Sequence, residues 1–181
     1  MGERSDARRN RERLLNAAAA AFAAAEGPVS LEAIARGAGV GIGTLYRHFP
    51  TREALTEAVY RAELAEVSAS AGNLLERYRP VEALRRWMDR YAEFVATKQG
   101  MAESLRAVFD CGAVERNQTR ATIVGAVEVM LAAGAADGSL RVDVRADDVV
   151  TSLLGIFLAS GSQEQSARMV CLLVDGLVTT R

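Results

Sequence analysis

The chain is short of the residues that build metal and redox centres. It holds two cysteines and one histidine in 181 residues. A structural zinc site takes four such ligands at fixed spacing, so Cys111, Cys171 and His48 do not supply one, and no metal or cofactor is expected. Both thiols stand in apolar contexts and read as small core residues of a protein in a reducing cytosol. Prolines number three, which leaves long stretches free of the ring that breaks helices. Long apolar runs are missing as well. The longest, around Val149–Ser160 and Met169–Val178, are interrupted by Thr, Ser, Gly and Asp. They fall short of the roughly 18 unbroken apolar residues that a membrane span needs, so no membrane partner is expected. The start, MGERSDARRNRERLL, is basic but carries no apolar core before a cleavage site, so no secretory signal is read there. A Gly-rich phosphate loop and a nucleophile–base pair are also lacking, which argues against an enzyme.

What is present is apolar surface and helical spacing. Hydrophobic residues make up 50% and charged residues 25%, which excludes a long disordered chain. Net charge is −1, so the whole molecule is no polycation. Its distribution is uneven: Arg4, Arg8, Arg9, Arg11 and Arg13 face Glu3, Asp6 and Glu12 within the first thirteen residues. A basic arm on a slightly acidic body suits a protein that touches polyanions at one end. A solvated first helix explains the same charges.

Apolar residues recur three and four apart throughout, the mark of α-helix. A first helix is expected from Ser5 or Asp6 with Leu14, Leu15, Ala18, Ala19 and Phe22 on one face, stopped at Gly27-Pro28. Ser30 caps a second over Leu31–Ala38. Gly39 ends it, Val40 turns inward, and a third runs from Gly41 or Ile42 to His48. Thr51 caps a long fourth helix towards Arg77. Five more are expected: Val81–Lys98, one between Gly100 and Gly112, Val114–Ala135, Ala146–Ala159 and Gln163–Thr179. Asp137-Gly138 is a turn. The fold class is therefore all-α with about nine helices.

Residues 30–49 read SLEAIARGAGVGIGTLYRHF. Two short helices joined by a glycine-containing turn form a helix-turn-helix pattern. Ala35 and Ala38 are small where the helices cross, and Leu45 and Phe49 anchor the second helix. Its outer face is then Ile42, Gly43, Thr44, Arg47 and His48, flanked by Tyr46. These groups are short or hydrogen-bonding and suit a groove floor with phosphate walls.

This block resembles the tetracycline-repressor (TetR) family of bacterial regulators. The likeness rests on Ile34-Ala35, Ala38-Gly39-Val40, the run Gly43-Thr44-Leu45-Tyr46-Arg47-His48-Phe49, and Thr51-Arg52-Glu53-Ala54-Leu55. It extends back through Leu14-Leu15, Ala18 and Phe22. The resemblance implies that Thr44 contacts backbone or base in the major groove, and that Tyr46 and His48 hydrogen-bond phosphates. Ser30, Thr51 and Arg52 match helix starts that meet phosphates, where exposed N–H groups and the helix dipole attract an anion. Position 41, commonly a small hydroxyl residue in the family, is Gly41 here, so one hydroxyl contact is lost while its amide remains. Ile42 has two readings, contact with a thymine methyl or a half-buried helix residue. His48 as a catalytic base is the weaker reading of that side chain.

Residues 1–53 are expected to form the DNA-binding domain and residues 54–181 a helical ligand-binding and dimerisation domain. The stripe Trp87, Met88, Tyr91, Phe94, with Phe109, Val127 and Met130, reads either as a packed core or as the lining of a pocket for a small apolar effector. The last two helices are apolar over more than one face. Leu153, Leu154, Gly155 and Phe157, with Met169, Leu172, Leu173 and Leu177, are expected at the interface of a symmetric homodimer, which the family implies. Thr151, Gly155 and Ala159 form a ridge of small side chains there. The expected partners are a double-stranded DNA operator, an unidentified small molecule and a second copy, in the bacterial cytoplasm and on the nucleoid when DNA-bound. A helix-turn-helix protein with no small-molecule ligand is the alternative, and an all-α enzyme the remote one.

Overall fold

A computed structural model describes residues 2–25, 27, 29–110, 112 and 116–179, with side chains for all of these except 2–5, 100, 103, 116 and 117. Among them lie nine helices: α1 (Gly2–Ala23), α2 (Leu31–Gly37), α3 (Ile42–His48), α4 (Arg52–Leu75), α5 (Pro80–Gly100), α6 (Ala102–Asp110), α7 (Arg116–Ala136), α8 (Ala146–Ala159) and α9 (Gln163–Leu177). No strand accompanies them in the described residues; one isolated antiparallel bridge joins Leu140 to Val178. The all-α expectation holds.

Several helix ends differ by one or two residues from the sequence reading, and two differences have a visible cause. α1 starts at Gly2, ahead of Ser5 and Asp6. Asp6 does not cap it but pairs with Arg9, one turn on. α9 ends at Leu177 because Val178 turns extended (φ −73°, ψ 138°) to bridge Leu140. Cys171 was expected in the core and is exposed, on the outward side of α9. Cys111, the stop at Pro28 and the helix start at Val114 lie outside the described residues.

The chain divides into two compact units, one of residues 1–63 and 96–116, the other of residues 64–95 and 117–181. In the first, α1 packs on α2 and α2 on α3. Leu14, Ala18, Phe22, Leu31, Ile34, Ala35, Leu45 and Phe49 are buried together in this unit's core. Large side chains of this kind each contribute about 1.5–3 kcal/mol on burial. The turn between α2 and α3 is fixed by backbone bonds. Gly39 takes φ +66°, its N–H donates to the Arg36 carbonyl, and the Val40 N–H donates to Ala35. This paired bonding past a left-handed glycine ends a helix and aims the next segment. A Cβ at Gly39 would also overlap the Arg13 guanidinium. Thr56, in α4, is fully buried and its hydroxyl has no partner among the described residues.

The second unit is built on the aromatic stripe of α5. Trp87 is fully buried, its indole N–H donates to the Val67 carbonyl at 2.9 Å, and its ring stacks on Tyr91 at 5.4 Å. α7 ends like α2: Gly138 takes φ +73°, and the Ser139 N–H reaches back to Gly134. A Cβ at Gly134 would overlap Leu140, so only glycine permits that approach. Along α7, Gln118–Ala136 is long and apolar enough by composition to cross a membrane, which the sequence reading did not single out. Ile123, Val127 and Met130 on that segment are buried in the core, and Arg120 binds Asp147 at the start of α8.

Candidate nucleic-acid interface

α3 is two turns long and sorts its residues by face. Leu45 is fully buried and Phe49, just past the helix, is nearly so. With those anchors inside, Gly41, Ile42, Gly43, Tyr46 and Arg47 are exposed, and Thr44 and His48 are half-buried. Ile42 is 37% and Tyr46 46% exposed, high values for apolar and aromatic residues. Cβ atoms added at Gly41 or Gly43 would meet nothing within 4 Å. Glycine inside a helix costs roughly 0.5–1 kcal/mol relative to alanine, and nothing in the fold requires it at position 43. The Gly41 N-cap supplies no side-chain bond, which leaves the first amides of α3 without a hydroxyl cap.

The flanking helix starts are capped. Ser30 Oγ accepts from the Ala33 N–H at 3.3 Å and donates to Glu32 Oε2 at 2.7 Å. That donated bond holds the Glu32 carboxyl below its usual range. Thr51 Oγ1 accepts from the Ala54 N–H at 3.1 Å. Arg52 donates to the Val29 carbonyl at 2.7 Å, tying the start of α4 to the segment before α2. Sequence reasoning missed that tether and the capture of the Ser30 hydroxyl by Glu32. An acidic residue two places after a cap is the one signal for the latter; the tether spans 23 residues and leaves none.

Three arginines of α1 are exposed but engaged. Arg8 pairs with Glu12, Arg9 with Asp6, and the Arg11 guanidinium lies 5.2 Å from the Phe49 ring centre. Exposed pairs of this kind contribute about 0–1 kcal/mol and exchange readily for a phosphate. The Arg4 side chain lies outside the described residues.

In the second unit the structure brings Trp87, Met88, Tyr91, Phe94, Val127 and Met130 into the buried interior. The Trp87 donor is already satisfied by Val67, so that polar handle is not free for a ligand. Phe109 belongs to the first unit, half-buried and edge-on to Tyr60 at 5.6 Å. A cleft of about 370 Å³ opens between α7 and the start of α8, lined by Leu131, Ala135, Val142, Val144 and Arg145 among others, and by none of the expected pocket residues.

The expected dimer residues separate into two groups. Leu153 and Leu177 are buried in their own protomer, 0% and 4% exposed, so they cannot meet a partner. Their place in the interface is corrected: both sit on the inward faces where α8 packs on α9. Met169, Leu172 and Gly155 are exposed, and Leu154, Phe157 and Leu173 are half-buried. Leu158, which the expected set omitted, is 61% exposed, and Leu172 is 66% exposed.

A glycine-turned helix pair with a buried inner face and an exposed outer face is a helix-turn-helix motif, a DNA-reading unit. Comparison with known proteins specifies the family. Residues 14–59 match the family described as "Bacterial regulatory proteins, tetR family", and residues 79–179 match "Transcriptional regulator SbtR-like, C-terminal domain". The TetR regulator SCO0520 from Streptomyces coelicolor is 43% identical, with a TM-score of 0.86 over 94% of this chain and 99% of that one. A TetR regulatory protein from Mycobacterium vanbaalenii is 32% identical, with a TM-score of 0.77 over 97% and 99%. A gamma-butyrolactone receptor, ArpA-like, shares the fold at 24% identity and a TM-score of 0.61, over 97% and 91%. No curated protein matches the chain. The chain belongs to the TetR family of transcriptional regulators.

Proposed function

We propose that the protein is a homodimeric repressor that reads a near-palindromic operator, and that it is not an enzyme. The observation that carries this reading is the outer face of α3, where Ile42, Gly43, Tyr46 and Arg47 are exposed over a buried Leu45 and Phe49. In this reading α3 enters the major groove, with Thr44 and Ile42 towards the bases and Tyr46, Arg47 and His48 towards phosphates. The amides of Gly41 and the helix starts at Ser30, Thr51 and Arg52 complete the backbone contacts. Residues 1–53 act as the DNA-binding domain and residues 54–181 as the regulatory and pairing domain. Two-fold symmetry sets the half-sites about 34–36 Å apart, or a multiple of that spacing.

Pairing is assigned to the outer faces of α8 and α9, where Leu154, Phe157, Leu158, Met169, Leu172 and Leu173 give apolar area to a second copy. An isologous helix-on-helix contact buries such faces in one step. Release follows from a population shift. An apolar effector held in the second unit favours a subunit arrangement that no longer matches the half-sites, by no more than its differential affinity for the two arrangements. α4 is the connecting lever, a continuous helix with residues in both units. A second reading, regulation without a small molecule, is favoured by one observation. Trp87, Met88, Val127 and Met130 are fully buried and the Trp87 donor is satisfied, as in a filled core.

The experiment is a duplex-binding titration with the selected operator and with random DNA. Tyr46→Phe and His48→Ala are expected to weaken both by roughly tenfold, since each removes a hydrogen bond to a charged oxygen. Thr44→Ala is expected to weaken the operator more than random DNA. Unchanged binding in all three variants removes α3 from the DNA.

A further inference from the structure

The end of α4 and the first half of α5 border an open cleft in the second unit that the operator reading does not use. Its volume is about 280 Å³, close to the lower bound of roughly 300 Å³ for ligand pockets, which limits an occupant to a compact molecule. Asn73, Arg77 and Tyr78 line it from the end of α4 and the turn beyond, and Arg86, Asp89 and Arg90 line it from α5. Three guanidiniums and one carboxylate, Asp89, thus line it, with Glu82 beside Arg86 as a second counter-charge. Arg86 is held in place: its Nε binds Glu82 at 2.7 Å and its guanidinium lies 4.2 Å from the Tyr78 ring centre. The Arg77 and Arg90 side chains, both exposed, make no ion pair or hydrogen bond among the described residues.

A guanidinium without a partner offers a planar fork of donors that matches carboxylate or phosphate oxygens. Two such forks line one concave site, and Asp89 offsets only part of their charge. An oxyanion with two charges offers both forks a partner. The Arg86–Tyr78 stack forms one wall of the site. We infer that this cleft binds a small oxyanion carrying at least two negative charges, a phosphorylated or dicarboxylate metabolite, through Arg77 and Arg90. The inference does not rest on the operator reading, and its test involves no operator.

The test is calorimetric titration of the full chain with pyrophosphate and, in a second arm, with succinate, both at constant ionic strength. One saturable site per chain is expected for at least one probe, and the responding probe assigns the phosphorylated or the dicarboxylate class. Arg77→Ala and Arg90→Ala are each expected to weaken it by about tenfold or more. Arg77→Lys and Arg90→Lys keep the charge but lose the fork, and are expected to fall between wild type and the alanine variants. Arg145→Ala removes a guanidinium from the other cleft and is expected to change nothing. Circular dichroism checks that the exposed substitutions leave the helices intact. Failure of both probes to saturate, or unchanged affinity in the Arg77 and Arg90 variants, overturns the inference. So does an equal loss in Arg145→Ala. A random duplex that displaces the probe, and itself binds more weakly to Arg77→Ala, also overturns it by assigning the cleft to nucleic acid.

Discussion

The α2–α3 pair and the α8–α9 pair follow one helical periodicity and end with opposite outer surfaces. In α2–α3 the apolar residues are used up on the inside: Leu31, Ile34, Ala35 and Leu45 are buried. What remains outside is glycine, hydroxyl, imidazole and guanidinium, with Ile42 the apolar exception. In α8–α9 there are more apolar residues than the inner faces can take. Val149, Val150, Leu153, Val174 and Leu177 go inside, while Leu158, Met169 and Leu172 stay in solvent. Surface that is polar and low in profile fits a wet, charged partner such as a nucleic-acid groove, whereas exposed apolar surface fits another protein face.

This contrast can be broken from either side. Leu45→Ala is expected to have the largest effect, about 2–5 kcal/mol of stability, because it hollows the anchor of α3. Thermal unfolding measures it, and a loss much below that range would mean that α3 is not held from beneath. Leu172→Asp is expected to leave the protomer folded and split the pair. The change occurs twice in an isologous contact, on the order of 2 kcal/mol per copy. Sedimentation decides: a variant that stays dimeric at low concentration ends the α8–α9 assignment. Thr56→Val replaces a buried, partnerless hydroxyl with a methyl and is expected to raise stability by about 1 kcal/mol, read from denaturant midpoints. Destabilisation would show that an ordered water serves that hydroxyl.

The smallest effect sharpens the contrast most. Gly43→Ala fills open space on the outer face of α3 and is expected to add about 0.5–1 kcal/mol through helix propensity. If that face approaches a groove closely, the same variant binds duplex DNA more weakly while melting higher. A variant that is both more stable and equally tight in binding would place Gly43 away from the nucleic acid.

Much of this was legible in the sequence, and what was not has physical reasons. Ser30, Gly39 and Thr51 announce helix ends because capping and left-handed turns act over a few residues, and the structure places caps or turns at all three. The inner face of α3 follows from the three- and four-residue spacing of Leu45 and Phe49. Long-range choices leave no such trace. The sequence pattern marks Arg52 only as a phosphate contact, yet it grips Val29 across 23 residues. In α8 and α9 the apolar residues cover more than one face, so composition could not tell that Leu153 and Leu177 turn inward while Leu158 turns out. Phe109 shares the apolar character of the α5 stripe but packs on Tyr60, a pairing set by the fold rather than by local pattern.

The buried indole of Trp87 has a practical use. It is the chain's one tryptophan, locked between the Val67 carbonyl and the Tyr91 ring. Intrinsic fluorescence excited at the red edge therefore reports on residues 64–95 and 117–181 alone and is silent for α1–α3. Loosening of the α4–α5 contact shifts that emission, while melting confined to α1–α3 leaves its colour unchanged. The molecule thus carries its own optical gauge for the order in which its two parts give way.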